Sequence, residues 1–207
     1  AFRTEKGVTK PVDTVPFPAI TRAMIARVGL YDEELVRDQD DEHNYRIRKA
    51  GGVVLLAADV CSDYYSRSSL AGLWRQYYQY GCWKVRVMQK HPRQMRPRQF
   101  VPFLFVATLI TLALLALLVP GGWVALVALV GAYLAANLAA SLLTAARRGW
   151  RYFPLLPVAF ATLHLSYGLG FICGLVRFRQ RWGDREGKVP KLPEGWEKFG
   201  GPMLDGA

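Results

Sequence analysis

Hydrophobic and polar positions change rhythm three times along this chain. Thr21 can cap a short helix through Val28, with Ile25 and Val28 on its apolar edge and Gly29 just past its end. Residues 30–38 then read as a loop. The spacing predicts a second helix from about Asp41 to Ala50. Its first turn is acidic, its last turns carry Arg46, Arg48 and Lys49, and Gly51-Gly52 stops it. That charge order suits the helix dipole. The run Val53–Ala58 is short, apolar and bounded by Gly and Asp, and predicts a buried strand. Ser69 can cap a third helix, Leu70 to Lys90, in which Leu70, Leu73, Trp74, Tyr77, Tyr78, Gly81, Val85 and Met88 recur at helical spacing before Pro92 ends it. Amphipathic, aromatic and basic, this helix suits the interface between water and lipid headgroups.

Beyond residue 100 the alternation stops. Val101–Val119 is long enough to cross hydrocarbon. Pro120-Gly121-Gly122 is a tight turn, and Trp123–Ala146 makes a second span. A third apolar stretch, Tyr152–Val176, is interrupted by Pro154, Pro157, His164, Ser166, Tyr167, Gly168 and Gly170. These breaks predict four zones. Residues 1–90 are a mixed α/β part, 91–100 a basic, proline-broken linker, 101–176 membrane helices, and 177–207 a polar tail.

Charge sharpens this picture. The chain carries a formal net charge of +11 with 52% hydrophobic residues. In a soluble protein such a balance suggests nucleic acid. Here no Asp, Glu, Lys or Arg falls within 101–146, and basic clusters flank that block, as on an anionic membrane face. Nucleic acid is therefore not an expected partner, and membrane lipids are. Positive charge at 84–98 and at Arg147, Arg148 and Arg151 places both on the cytoplasmic side, with 120–122 outside. A third full crossing would put Arg177, Arg179 and Arg181 outside. The broken composition of 152–176 favours a re-entrant or interfacial helix pair, which keeps the tail inside. Cys61, Cys82 and Cys173 are odd in number and form neither a zinc spacing nor a disulfide framework, so buried small hydrophobes are expected.

Three segments could carry chemistry. In Arg37-Asp38-Gln39-Asp40-Asp41-Glu42, four carboxylates crowd a loop-to-helix junction. Mutual repulsion can raise a carboxyl pKa and make one of them a base toward a substrate hydroxyl, or the group could bind a divalent cation. The plainer alternative is an acidic helix start that complements the dipole. In the second segment, Arg75 to Lys84, the cations Arg75 and Lys84 could neutralise phosphate charge, or the aromatics could only anchor the helix. In Thr162–Gly170, a polar cluster within an apolar stretch marks either a groove or close helix packing, with packing favoured.

The block from Gly29-Leu30-Tyr31-Asp32-Glu33-Glu34 through Gln39-Asp40-Asp41-Glu42 to Arg46 and Gly51 resembles the second half of a family 2 glycosyltransferase of GT-A fold. The likeness is to the membrane-bound exopolysaccharide type that acts in succinoglycan assembly. Val12–Val15 and Arg67–Leu70 fit that type too, and the likeness runs over about residues 1–176. It implies an α/β, Rossmann-like partial GT-A half followed by transmembrane helices. It also implies an inverting hexosyltransferase at the bacterial inner membrane, with a nucleotide-sugar donor and a lipid-linked saccharide acceptor. Asp40 then corresponds to the catalytic base, with Asp41 its rival and Gln39 in place of the usual Glu. Glu42 caps or orients, and is grouped with Arg75, Gln79, Trp83 and Lys84 as substrate-binding. Gln79 and Trp83 match a Q-x-x-R-W element in which Cys82 replaces the arginine, which points to single-sugar transfer rather than a processive synthase. Thr162–Gly170 resembles a His-x-x-Tyr-Gly-x-Gly run and could line a groove for the lipid-linked acceptor. The resemblance further implies a Mg or Mn ion, held mostly by residues outside this chain, because no Asp-x-Asp is placed here to hold metal and diphosphate. The opening Ala1-Phe2-Arg3-Thr4 resembles the end of a stretch that precedes the acceptor half. The amino-terminal third is therefore expected to be absent, and with it a complete donor site. The rival expectation is a non-catalytic membrane subunit of a polysaccharide assembly or export system.

Overall fold

The computed structural model describes residues 8–15, 18–58, 60, 67–192 and 196. The chain forms two compact units, one of residues 1–65 with 184–207 and one of 66–183.

In the first unit, β1 (Lys10–Pro11) pairs antiparallel with β2 (Leu55–Leu56). Helix α1 (Arg22–Val28) begins at Thr21, whose hydroxyl accepts the Met24 N–H at 3.3 Å, and closes at Gly29 with φ +80°. Helix α2 (Gln39–Lys49) begins two residues earlier than the charge pattern suggests. Asp38 precedes it in a left-handed conformation (φ +62°), which Asp tolerates better than most residues. Asp40 thus stands on the first turn of a helix, not in the loop ahead of it.

Val15, Ile47 and Val54 form the core here, packed by Val12, Ile20, Met24, Val28 and Leu56. Gly52 is required at its edge, since a Cβ there would lie 2.6 Å from Met24 Cε and 2.8 Å from Ile47 Cγ2. Asn44 is wholly buried and ties α2 to the segment after β1, donating to Thr14 Oγ1 (2.8 Å) and the Val15 carbonyl (2.9 Å).

Two expectations need correcting. The run 53–58 is not a buried strand: Val53 is 67% exposed, Leu55 is 53% exposed, and only Val54 turns fully inward. A strand buried on both faces needs neighbours on both edges, and this one meets only the two residues of β1. For the same reason the α/β layer of a GT-A half is not seen among the described residues, where this short ladder is the only sheet.

The second unit is helical. It holds α3 (Leu70–Lys90), α4 (Val101–Leu118), α5 (Trp123–Arg148) and α6 (Leu156–Arg177), with 3-10 turns at Pro92–Gln94, Pro97–Gln99, Trp150–Leu155 and Arg179–Arg181. Ser69 caps α3 by accepting the Gly72 N–H. Three stretches, Val101–Leu118, Trp123–Arg148 and Trp150–Arg177, are long and apolar enough to cross a membrane, which fits a membrane protein. The third contains one unbroken α-helix from Leu156 to Arg177, not a helix pair. Its prolines fall in the 3-10 turn and the first α-helical turn, where a missing N–H costs little.

Helix α3 is more than an interfacial anchor. From Gly81 to Val87 it is buried, and it lies directly against α6. Glycines permit that approach. A Cβ on Gly174 would sit 2.5 Å from the Cys82 carbonyl oxygen, and one on Gly170 would overlap the Tyr78 carbonyl. Gly168 does the same toward α4, against Pro102 and Val106. Small residues spaced in this way let backbones meet at van der Waals distance. Packing is therefore what the Gly168-x-Gly170 run accomplishes. Cys82 is a buried free thiol and Cys173 a partly buried one, as expected of small hydrophobes; Cys61 lies outside the described residues.

Candidate functional site

The acidic segment is built from α2 and the turn that faces it. Arg46, one turn from the helix end, reaches back to grip Glu42 through two contacts, Nε–Oε1 at 2.7 Å and Nη2–Oε2 at 3.1 Å. The same guanidinium donates to the carbonyls of Val28 and of Leu30 (2.8 Å). Two of these four bonds stay within α2 and two tie it to the end of α1 and the residues just beyond, a geometry lysine cannot reproduce. Glu42 is buried, and its carboxylate is engaged here.

His43 and Tyr31 complete the wall. The two rings stack with centroids 4.5 Å apart. His43 Nε2 donates to the Gly29 carbonyl at 2.9 Å, which sets the tautomer and leaves Nδ1 as a buried acceptor without a partner. Burial pushes the His43 pKa down, against the opposing hydrogen bond to Gly29, so the ring is neutral near pH 7.

Asp40 lies one turn before His43 and is half-buried. Burial raises its carboxyl above the usual carboxylate range; His43 opposes this and Asp41 reinforces it. The raised carboxyl that charge crowding predicts is therefore Asp40, with desolvation as the larger cause. Tyr31 is raised as well, by burial first and by Asp40 second. Among the described residues no three His, Cys, Asp or Glu side chains converge to hold a metal ion. Successive residues of α2 point about 100° apart, which spreads Asp40, Asp41 and Glu42 instead of closing them into a cage. By themselves they form no metal cage, and the resemblance assigns the Mg or Mn mostly to residues outside this chain.

In the helical unit, Arg75, Gln79 and Trp83 fall at i, i+4 and i+8 on α3 and share one stripe. Arg75 is exposed, Gln79 is partly buried, and Trp83 and Lys84 are buried. Arg177, from the end of α6, lies over the Trp83 ring at 5.3 Å and also over Phe178. Cys82 beside it is a neutral thiol, pushed up to about 11 chiefly by burial. The cation next to Trp83 is therefore supplied from a helix almost a hundred residues later.

The sequence pattern did not single out Tyr31, His43 or Arg177. His43 had a usable signal, since it falls four residues before Ile47 on the inward face of α2. Tyr31 and Arg177 had none, because their partners are distant in sequence.

The chain is 36% identical over 154 residues to the succinoglycan biosynthesis protein ExoA of Rhizobium meliloti (strain 1021), a match that covers 74% of this chain and 45% of that protein. The chain thus spans less than half the length of that relative. No family model matches it, and no solved structure does either.

Proposed function

We propose that this chain is the acceptor-side and membrane part of a glycosyltransferase of exopolysaccharide biosynthesis, with Asp40 as its base. The observation that carries this reading is the setting of Asp40. It is a half-buried carboxyl of raised basicity, on a helix start held rigidly by Arg46 and backed by a neutral His43. The similarity to ExoA supports the pathway class.

In this reading an acceptor hydroxyl attacks the anomeric carbon of a nucleotide sugar as the bond to the diphosphate breaks. Asp40 takes the hydroxyl proton, and the diphosphate leaves with the bonding electrons, so configuration inverts. A raised pKa makes the carboxylate a better proton acceptor. Glu42 and Arg46 position the helix. On the helical unit, exposed Arg75 and Arg177 offer cations to an anionic group such as the phosphate of a lipid-linked saccharide acceptor. The basic flanks of the membrane helices support a cytoplasmic position for the acidic site in this reading.

The test uses membranes from cells that express the gene's full product. They are supplied with a panel of labelled nucleotide sugars, and label is sought in the lipid-extractable fraction. One donor is expected to label a lipid-linked saccharide. If no donor does so, while the protein is inserted and export of the polysaccharide still depends on it, the reading gives way to a non-catalytic assembly subunit.

A further inference from the structure

Directly after the last apolar helix, the polar tail returns to the turn that supports the acidic site. Lys188 N–H donates to Asp32 Oδ1 at 2.8 Å, and the Lys188 carbonyl accepts the Glu33 N–H at 2.9 Å. Asp32 Oδ1 also accepts the Glu34 N–H at 3.0 Å, and the Leu35 N–H returns to the Asp32 carbonyl at 3.1 Å. Asp32 is 1% exposed and Leu35 fully buried. The flanking residues of the tail are fitted as closely. A Cβ on Gly187 would lie 2.5 Å from Asp32 Oδ2, and a Cβ on Gly29 would lie 2.8 Å from Val189 Cγ1.

We infer that Gly187–Val189 is an intramolecular strap that holds the Gly29–Leu35 turn, and through it the Asp40 site, in working register; its catalytic consequence rests on the transferase reading above. A carboxylate as buried as Asp32 needs donors, and Lys188 supplies a backbone one from 156 positions away. The turn it fixes carries three partners of α2: the Gly29 carbonyl for His43, the Tyr31 ring stacked on His43, and the Leu30 carbonyl for Arg46. Loss of the strap would leave Asp32 and Glu33 without their tail partner, and the turn held only by its own short-range hydrogen bonds and its contacts with α2. Such a segment opens locally more often. Lys188 is thus a positioning residue that acts through its backbone and not through its charge.

The experiment is hydrogen exchange on the full product in detergent, comparing Lys188→Pro, which removes the N–H, with Lys188→Ala, which keeps it. Lys188→Pro is expected to speed exchange across residues 29–44 at least about tenfold, while Ile47–Ala50 and α3 keep wild-type protection. Lys188→Ala is expected to match wild type. Unchanged exchange at 29–44 in Lys188→Pro, or an increase spread evenly over the whole first unit, would overturn the strap. Sugar transfer is measured on the same samples. A loss in Lys188→Pro that Lys188→Ala does not share supports the catalytic consequence, and undiminished transfer despite a loosened turn overturns it. A wild-type protein without transfer activity would defeat the transferase reading alone, and the exchange result would still decide the strap.

Discussion

Arg46 meets Glu42 side-on, with contacts of 2.7 and 3.1 Å, and directs its remaining donors to two carbonyls of the preceding turn. Glu42 is almost fully enclosed, so removal of Arg46 takes a side-on ion pair from a buried carboxylate. Arg46→Ala should cost about 3 kcal/mol of stability. Arg46→Lys should recover part of that, since it keeps the charge but cannot reach all the acceptors. Denaturant unfolding in detergent checks both, and equal losses in the two variants would contradict the forked geometry.

His43 should make the first unit sensitive to acid. Its pKa in the folded chain lies below the ordinary value of about 6.5. The unfolded chain therefore binds the proton first. Stability is complete above about pH 6.5 and falls as pH drops through the interval down to the lowered value, by up to about 1.4 kcal/mol per pH unit. His43→Phe keeps a ring for Tyr31 to stack on and cannot titrate. Its melting temperature should change less between pH 7.5 and 5.5 than that of wild type. Parallel pH curves would show that His43 does not carry the effect.

The contact between α3 and α6 depends on missing side chains. Gly174→Val places branched carbon where the Cys82 carbonyl and Val85 already sit. The helices must separate, at a cost of about 2 kcal/mol or more. Limited proteolysis should then cut α3 while α4 and α5 stay protected. A Cβ added at Gly131 would meet nothing within 4 Å, so Gly131→Ala serves as the neutral control.

Much of the helical architecture was legible because it depends on local signals. Thr21, Ser69, Gly29 and Gly51 mark helix ends through their own backbone chemistry, and the uncharged block 101–146 declares its solvent. What could not be read depends on partners far away. Val53–Ala58 has the composition of an inner strand, but burial needs neighbouring strands that this sequence does not place beside it. Lys84 reads as an available cation, yet α6 covers that stretch of α3. Asp40 was legible as one carboxylate of a cluster; its raised basicity comes chiefly from burial, which spacing alone does not reveal.

The raised Asp40 carboxyl also sets a pH dependence for the reaction. A base must be ionised, so transfer should rise with pH through the Asp40 pKa, and this acid limb should lie above the ordinary carboxylate value of about 3.9. A limb at or below that value would point to a more exposed group.

The central claim is tested most directly by one comparison of initial transfer rates, for wild type, Asp40→Asn and Asp41→Asn, at equal amounts of inserted protein. Asp40→Asn should lower the rate by at least about a hundredfold with melting unchanged, and Asp41→Asn should keep most of it. Full activity in Asp40→Asn, or the loss appearing in Asp41→Asn instead, would contradict the assignment of Asp40 as the base.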